Sequence, residues 1–232
     1  GNSGLQVSVV GLGCNNFGRL CDESQTTSIV HAALDSGITF FDTADIYGPS
    51  GVSEEYLGKA LKGHREEAVI ASKFGGPMAD DDPYMRGASR RYIMNAVEAS
   101  LTRLNTDYID LYQIHRPDIY THPSEVAETL DSLIEEGKIK AIGVSNYTPD
   151  QISALSSFLK APLVTTQPEF SISCLKPLRD GTLDQCSGKD IIPLAWSPLA
   201  GGRLATGEGV RPELVELLDE LVQRESVDRA AI

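Results

Sequence analysis

A (β/α)8 barrel of the TIM type, lacking its eighth strand and C-terminal segment, is the fold this sequence predicts. Three observations carry it. Short apolar runs with little polar alternation recur along the chain, which is how parallel strands covered by helices read. Segments of helical period separate them one by one, so strand and helix alternate strictly. No linker, repeat or shift of composition interrupts the 232 residues, so 1–232 reads as one barrel domain. About seven strands are countable, against eight and usually ~250 residues in a closed barrel. The chain therefore reads as truncated at both ends, and is expected to continue past Ile232 with an eighth strand. Val9 and Leu194 are expected on strands flanking the one-strand gap.

The opening, GNSGLQVS, has the turn residues and alternation of the second half of a hairpin. Residues 6–12 predict the first strand, ending in Gly13, Cys14, Asn15 and Asn16. A helix follows over 24–36, with Ile29, Val30, Ala32 and Ala33 toward the core, and Gly37 stops it. The second strand, 38–41, delivers Asp42. Ser53 is expected to cap a helix through Leu61, with Glu54 and Glu55 in the first turn, where the helix dipole favours negative charge. The third strand, 68–72, delivers Lys73, and residues 74–88 form a Gly/Pro/Asp-rich loop whose length suggests function. Ser89 starts a helix with Ile93, Ala96, Val97, Ser100, Leu101 and Leu104 on one stripe.

The fourth strand, 108–114, delivers His115, and Pro117 breaks it. Pro123 suits the first turn of a helix burying Val126, Leu130, Leu133 and Ile134. A fifth strand, 139–144, leads to Ser145 and Asn146, and Pro149 opens a helix through Phe158. A sixth, 163–166, leads to Gln167. After a helical turn near Leu183, a seventh, 191–195, leads to Trp196 and Ser197. Helices are expected from Pro212 through Val222 and again from Val227.

Composition narrows the function. With 41% apolar and 23% charged residues the chain is neither disordered nor a coiled coil. Its 33 acidic against 20 basic residues give a net charge of -13, which repels a phosphate backbone, so nucleic acid is not an expected partner. No apolar run reaches the ~18 residues a membrane helix needs. Four cysteines without CxxC spacing read as reduced thiols of a cytoplasmic protein, and no zinc-type His/Cys spacing suggests a metal. Neither a GxGxxG opening a helix nor a GxSxG is present.

Chemistry concentrates at predicted strand ends. FFDTADIYG carries Asp42 and Tyr47, VIASKF carries Lys73, and YIDLYQIHRPD carries His115. On a parallel barrel these ends converge on one face. A tyrosine hydroxyl is a poor acid at neutral pH, but an adjacent ammonium stabilises its phenolate and a carboxylate behind the lysine holds that ammonium. Asp42, Lys73 and Tyr47 together therefore make a general acid, and His115 can direct a hydrogen bond at a carbonyl. Ser145, Asn146 and Gln167 offer neutral donors and acceptors suited to an amide, and Trp196 offers a flat face to a ring.

FFDTADIYG with SEEYLGKAL, SKFG, SLTRLNTDYIDLYQIH, GKIKAIGVSN, TTQPEFS and LAWSPLAGG together resemble the aldo-keto reductases over nearly the whole chain. The resemblance implies reduction of an aldehyde or ketone with NADPH, NADH being possible, and no metal. It makes Asp42, Tyr47, Lys73 and His115 the catalytic tetrad, with Tyr47 the proton donor. Ser145, Asn146 and Gln167 would hold the nicotinamide carboxamide, and Trp196 stands where an aromatic ring, commonly tyrosine, stacks on the nicotinamide. Ser197, Leu199 and Gly201 would follow the pyrophosphate. Asn15, Asn16, Phe17 and the loop 74–88 would wall a small carbonyl substrate. The residues that grip the adenosine phosphate in this family follow the eighth strand, beyond Ile232. Two rivals remain open: a cofactor-binding regulatory subunit with little turnover, and a phosphate-handling barrel isomerase whose loop SPLAGG imitates.

Overall fold

The computed structural model describes residues 3–79 and 81–232, and its organising element is one sheet of seven parallel strands paired in sequence order. The strands are β1 (Gly11–Gly13), β2 (Phe40–Asp42), β3 (Val69–Phe74), β4 (Leu111–Ile114), β5 (Ile142–Ser145), β6 (Leu163–Gln167) and β7 (Ile192–Pro193). Between them run α1 (Glu23–Asp35), α2 (Val52–Ala60), α3 (Arg90–Leu104), α4 (Pro123–Glu135), α5 (Pro149–Ser156) and α6 (Thr182–Lys189). Then come the short α7 (Arg203–Thr206) and α8 (Pro212–Glu225). The sheet curls as part of a (β/α)8-type barrel, with β1 and β7 as its two edges. No described helix is long and apolar enough to cross a membrane.

Strand alternation sorts the side chains into two sets. One set, including Phe41, Ile70, Tyr112, Ile114, Ile142 and Val144, packs under the helices in the main core. The other, Phe40, Ala71, Leu111, Ala141 and Val164, forms a separate apolar cluster with Leu5, Val69 and Leu194 against it. Two residues further along β2, β3 and β4, that second face carries Asp42, Lys73 and Gln113. An apolar layer thus lies below a polar one, and the polar one is at the strands' C-terminal ends.

The stripe on α3 is as expected: Ile93, Ala96, Val97, Ser100, Leu101 and Leu104 are buried, and Ser89 caps the helix by accepting from the Tyr92 amide. Several boundaries differ. Because β2 offers ladder partners only to Gly11–Gly13, residues 6–10 lie outside the first strand, and Val9 is fully exposed. Ser8 instead exchanges hydrogen bonds with Thr39. Leu194 follows β7 and donates its amide to Thr166 O, so neither Val9 nor Leu194 lies within a strand, while β1 and β7 are the unpaired edges of the sheet, as expected. The expected hairpin falls partly on Gly1 and Asn2, outside the described residues; residues 3–8 are unpaired in the sheet.

Strand β4 begins three residues later than expected, because the Asp110 carboxylate is taken by Arg65, Lys140 and the Ile70 amide. In α1 the buried positions are Thr26, Val30 and Ala33, while Ala32 is exposed and Ile29 is 36% exposed. Helix α5 stops at Ser156, leaving Phe158 partly exposed with its edge toward His122. Past Val227 the chain makes a turn held by the Asp228 carboxylate on the Ala230 and Ala231 amides, rather than a new helix.

Helix α2 begins differently from expectation. Its N-cap is Gly51, in the left-handed region, and not Ser53. The Ser53 hydroxyl is fully buried, donates to Cys14 O at 2.8 Å and bonds Thr43 Oγ1 at 2.9 Å. Glu54, expected in solvent at the helix start, is buried and takes Arg103 Nε at 2.7 Å and the Ser72 hydroxyl. These bonds tie α2 to the turn after β2, which carries the candidate site.

Candidate active site

Asp42 ends β2, Lys73 is the penultimate residue of β3, and His115 follows β4 directly. Lys73 has a fully buried side chain whose ammonium donates three times: to Asp42 Oδ2 at 2.7 Å, to Thr43 O at 2.9 Å and to Tyr47 OH at 3.3 Å. Tyr47 reaches that point from the turn after β2, where Asp45 N bonds Lys73 O and Ser53 N bonds Tyr47 O. Gly48, at φ +68°, closes the turn where a Cβ would lie 2.8 Å from Phe17 O, so only glycine fits. His115 stands edge-on to Tyr47, with ring centroids 5.6 Å apart and planes at 82°. The four expected groups are thus brought together.

Electrostatics set their protonation. Burial raises the Tyr47 hydroxyl above the ordinary tyrosine value, and the pull of Lys73 only partly offsets it. For Lys73, burial would lower the value, but Asp42 and Tyr47 more than reverse this and leave it raised. Burial, then the charges of Lys73 and Arg116, push His115 down to about 3. At neutral pH the site therefore holds a protonated tyrosine, an ammonium and an uncharged imidazole, whose buried Nδ1 lacks a partner among the described residues.

Asp45, next to this group, was not singled out in the sequence. Burial, followed by the charge of Glu54, raises its carboxyl to about 7, against a smaller opposing pull from the Tyr92 hydroxyl 3.2 Å away. An acid raised on folding contributes most stability below its unfolded value of ~3.9 and loses it as pH climbs through about 7. His115 slopes the other way, since a histidine lowered on folding weakens the fold as pH falls from ~6.5 toward about 3. Asp45→Asn removes only the first slope. The variant should be more stable than the parent at pH ~8 by roughly 2–4 kcal/mol, with the gap closing near pH ~4. Urea melts at both pH values check this, and a gap independent of pH would show Asp45 ionised throughout.

Around the other half of the site, Ser145 ends β5 and Gln167 ends β6. Ser145 Oγ donates to Gln167 O at 2.9 Å, and Asn146, in the left-handed region at φ +60°, donates through Nδ2 to His115 O and Ser145 Oγ at 3.0 Å each. Trp196 Nε1 donates to Asn146 Oδ1 at 3.1 Å, so one amide ties the indole to the His115 backbone. Ser197, Leu199 and Gly201 lie in the turn leading through Ala200–Gly202 to α7. The donors nearest the indole are neutral and at strand tips, and the ring is only partly buried. That set fits a nicotinamide carboxamide with the ring beside it.

On the expected substrate side, Asn15 is exposed and Asn16 is partly so, while Asn16 O gathers the amides of Arg19, Leu20 and Cys21. Phe17 differs from expectation: at 2% exposure it belongs to the main core. The loop after β3 closes on itself through Gly87 N to Gly75 O and Met78 N to Met85 O. Asp118, after β4, locks it by accepting from Ala88 N, Tyr120 N and Thr121 Oγ1.

The sequence reading missed Gln113. Its Nε2 donates to Asp42 Oδ1 at 3.3 Å and its Oε1 accepts from Thr165 Oγ1 at 3.3 Å. The signal was present: a glutamine in an apolar strand, two residues before His115 and so on the same face.

A buried lysine joining a carboxylate to a tyrosine, at the C-terminal ends of parallel barrel strands, makes a candidate acid–base site on an α/β barrel. Comparison with known proteins agrees with that class. The aldo/keto reductase family model matches residues 9–222. A 6-dehydroglucose reductase of Novosphingobium aromaticivorans is 44% identical over an alignment covering 99% of this chain and 77% of its own. L-glyceraldehyde 3-phosphate reductase of Escherichia coli (strain K12) is 34% identical, covering 90% of this chain and 62% of its own. The crystal structure of a thermostable aldo-keto reductase with the inhibitor epalrestat superposes with TM-score 0.87 at 28% identity, covering 99% of this chain and 80% of its own. The chain belongs to the aldo/keto reductase family, and its reaction class is NAD(P)H-dependent oxidoreduction of carbonyl compounds.

Proposed function

We propose that this protein reduces an aldehyde or ketone to an alcohol with NADPH, Tyr47 giving the proton to the carbonyl oxygen. The contact of Lys73 Nζ with both Asp42 and Tyr47, in a buried setting, carries the reading. A bound nicotinamide cofactor supplies the hydride. Tyr47 keeps its proton at neutral pH because burial raises it, and Lys73 stands ready to stabilise the phenolate left behind. Neutral His115 can offer a hydrogen bond to the same carbonyl without adding a charge to compete with Lys73. Ser145, Asn146 and Gln167 would hold the carboxamide, Trp196 would cover the ring, and the turn with Ser197, Leu199 and Gly201 would run along the pyrophosphate. NADPH is preferred over NADH on the family resemblance. The relative named for 6-dehydroglucose makes a sugar-derived carbonyl the first class to try, which the polar rim of Asn15 and Asn16 suits. All four cysteines are free, which fits the reducing cytoplasm in which we place the protein.

The test is consumption of NADPH and NADH with a panel of simple aldehydes, ketones and oxidised hexoses. Turnover with none of them would sink the proposal. The cofactor half is checked separately through the single tryptophan of the chain, whose emission reports on Trp196 alone. NADPH should quench it, and in Trp196→Ala, which leaves no tryptophan, binding read by calorimetry should weaken about fivefold, as a stacking contribution of ~1 kcal/mol implies. Unquenched emission on titration would place the ring away from the nicotinamide.

A further inference from the structure

Beneath the candidate tetrad lies a group of residues that touches no reacting position. Gln113 is fully buried, with its amide nitrogen on Asp42 Oδ1 and its oxygen on the Thr165 hydroxyl. The hydroxyl fixes the amide's direction: by donating to Oε1 it turns the NH2 toward Asp42. A bulge between β5 and β6 sets Thr165, rather than Val164, opposite Gly143. At Gly143 a Cβ would run into the Thr165 hydroxyl and lie 2.9 Å from Gln113 Cγ, so the strand leaves out a side chain where these two meet. Gln113, Thr165 and Gly143 are thus fitted to one another.

We infer that Gln113 is a positioning residue for proton delivery: it holds Asp42 so that Oδ2 faces Lys73, and thereby keeps the Lys73 ammonium on the Tyr47 hydroxyl. The inference rests on the reading of Tyr47 as the acid. The second torsion of an aspartate is broad and roughly two-fold, so a carboxylate gripped at one oxygen alone can swing. Gripped at both, by Gln113 and Lys73, it cannot. The amide also shares the carboxylate's negative charge, leaving more of the ammonium's field for the phenolate. The polar or charged groups that act on Tyr47 are Lys73, Asp42 and the Cys14 thiol, with neutral His115 at its edge. Gln113 reaches it only through Asp42 and Lys73.

Gln113→Met keeps length and removes the donor. In the full chain, kcat should fall about tenfold while the NADPH Kd, read from Trp196 emission, stays at the parent value. Gln113→Glu gives the specific signature. Protonated, the new carboxyl donates to Asp42 as the amide does; ionised at higher pH, it repels the Asp42 carboxylate, a like charge at hydrogen-bond distance. Turnover of that variant should be near the parent's at acid pH and collapse toward alkaline pH with circular dichroism unchanged. Carbon-13 NMR of the Tyr47 Cζ, assigned with Tyr47→Phe, reads the coupling without turnover and should shift in Gln113→Met. Should that variant not fold, Thr165→Val leaves Gln113 in place without the hydroxyl that aims it and should give the same pattern with a smaller loss. Parent-like kcat with an unmoved Cζ resonance overturns the inference. So does a fall of kcat and cofactor affinity in step, which would make Gln113 a prop of the barrel. An inactive parent sinks the proposed function instead, and the Cζ shift still decides Gln113.

Discussion

Tyr47→Phe is expected to lower turnover by roughly 10²-fold or more while leaving NADPH affinity near the parent's. The ring stays, and with it the edge contact to His115 and the Lys73 ammonium 4.8 Å from the ring centroid. What goes is the hydroxyl on which Lys73 places its third hydrogen bond. Since burial raises that hydroxyl above the usual phenol value of ~10, the parent should keep its acid protonated across the neutral range and lose rate only at strongly alkaline pH. Single-turnover oxidation of NADPH separates the chemical step from binding. A phenylalanine variant that reduces carbonyls at the parent rate removes Tyr47 from the mechanism.

Lys73→Met is expected to abolish turnover and also to destabilise the fold by about 3 kcal/mol, because removing one partner of a buried pair strands the other. The Lys73 side chain is 1% exposed and that of Asp42 15%, so among the described residues Asp42 would keep the Gln113 amide as its one side-chain donor away from water. Lys73 is raised above the ordinary lysine value, so its contribution is fully present below that value and lost only as pH rises through the raised one. At neutral pH the whole loss should show. Urea melts beside kinetic assays test both halves, and an inactive variant as stable as the parent would contradict the buried pairing.

Much of this site was legible in the sequence because its charged members end apolar runs. A carboxylate, an ammonium and an imidazole at the tips of three successive strands announce a shared face, and Asp42, Lys73 and His115 are found on one. Gln113 announced itself less, since a neutral residue within YIDLYQIH reads as an interruption until the period of two is applied through Leu111, Gln113 and His115. Ser53 and Glu54 were misread for a different reason. A serine before two glutamates has the composition of a helix start, but the cap is set by the left-handed backbone at Gly51. What claims Ser53 and Glu54 are Cys14 O and Arg103, 39 and 49 residues away. Partners at that separation leave no local trace. Strand starts were blurred likewise, because apolar runs mark what is buried while ladder partners decide what is strand.

Gly143 has a consequence for redesign. Its missing side chain, the Thr165 hydroxyl and the Gln113 stem occupy one small volume, so the three positions cannot be altered independently. A methyl group added to β5 requires a smaller neighbour on β4 or β6, and a smaller neighbour alone leaves a void beneath Asp42. Substitutions here should be strongly non-additive, with pairs tolerated that neither member survives alone. Libraries aimed at widening the enzyme's range are therefore better spent on the rim of Asn15 and Asn16, which solvent reaches.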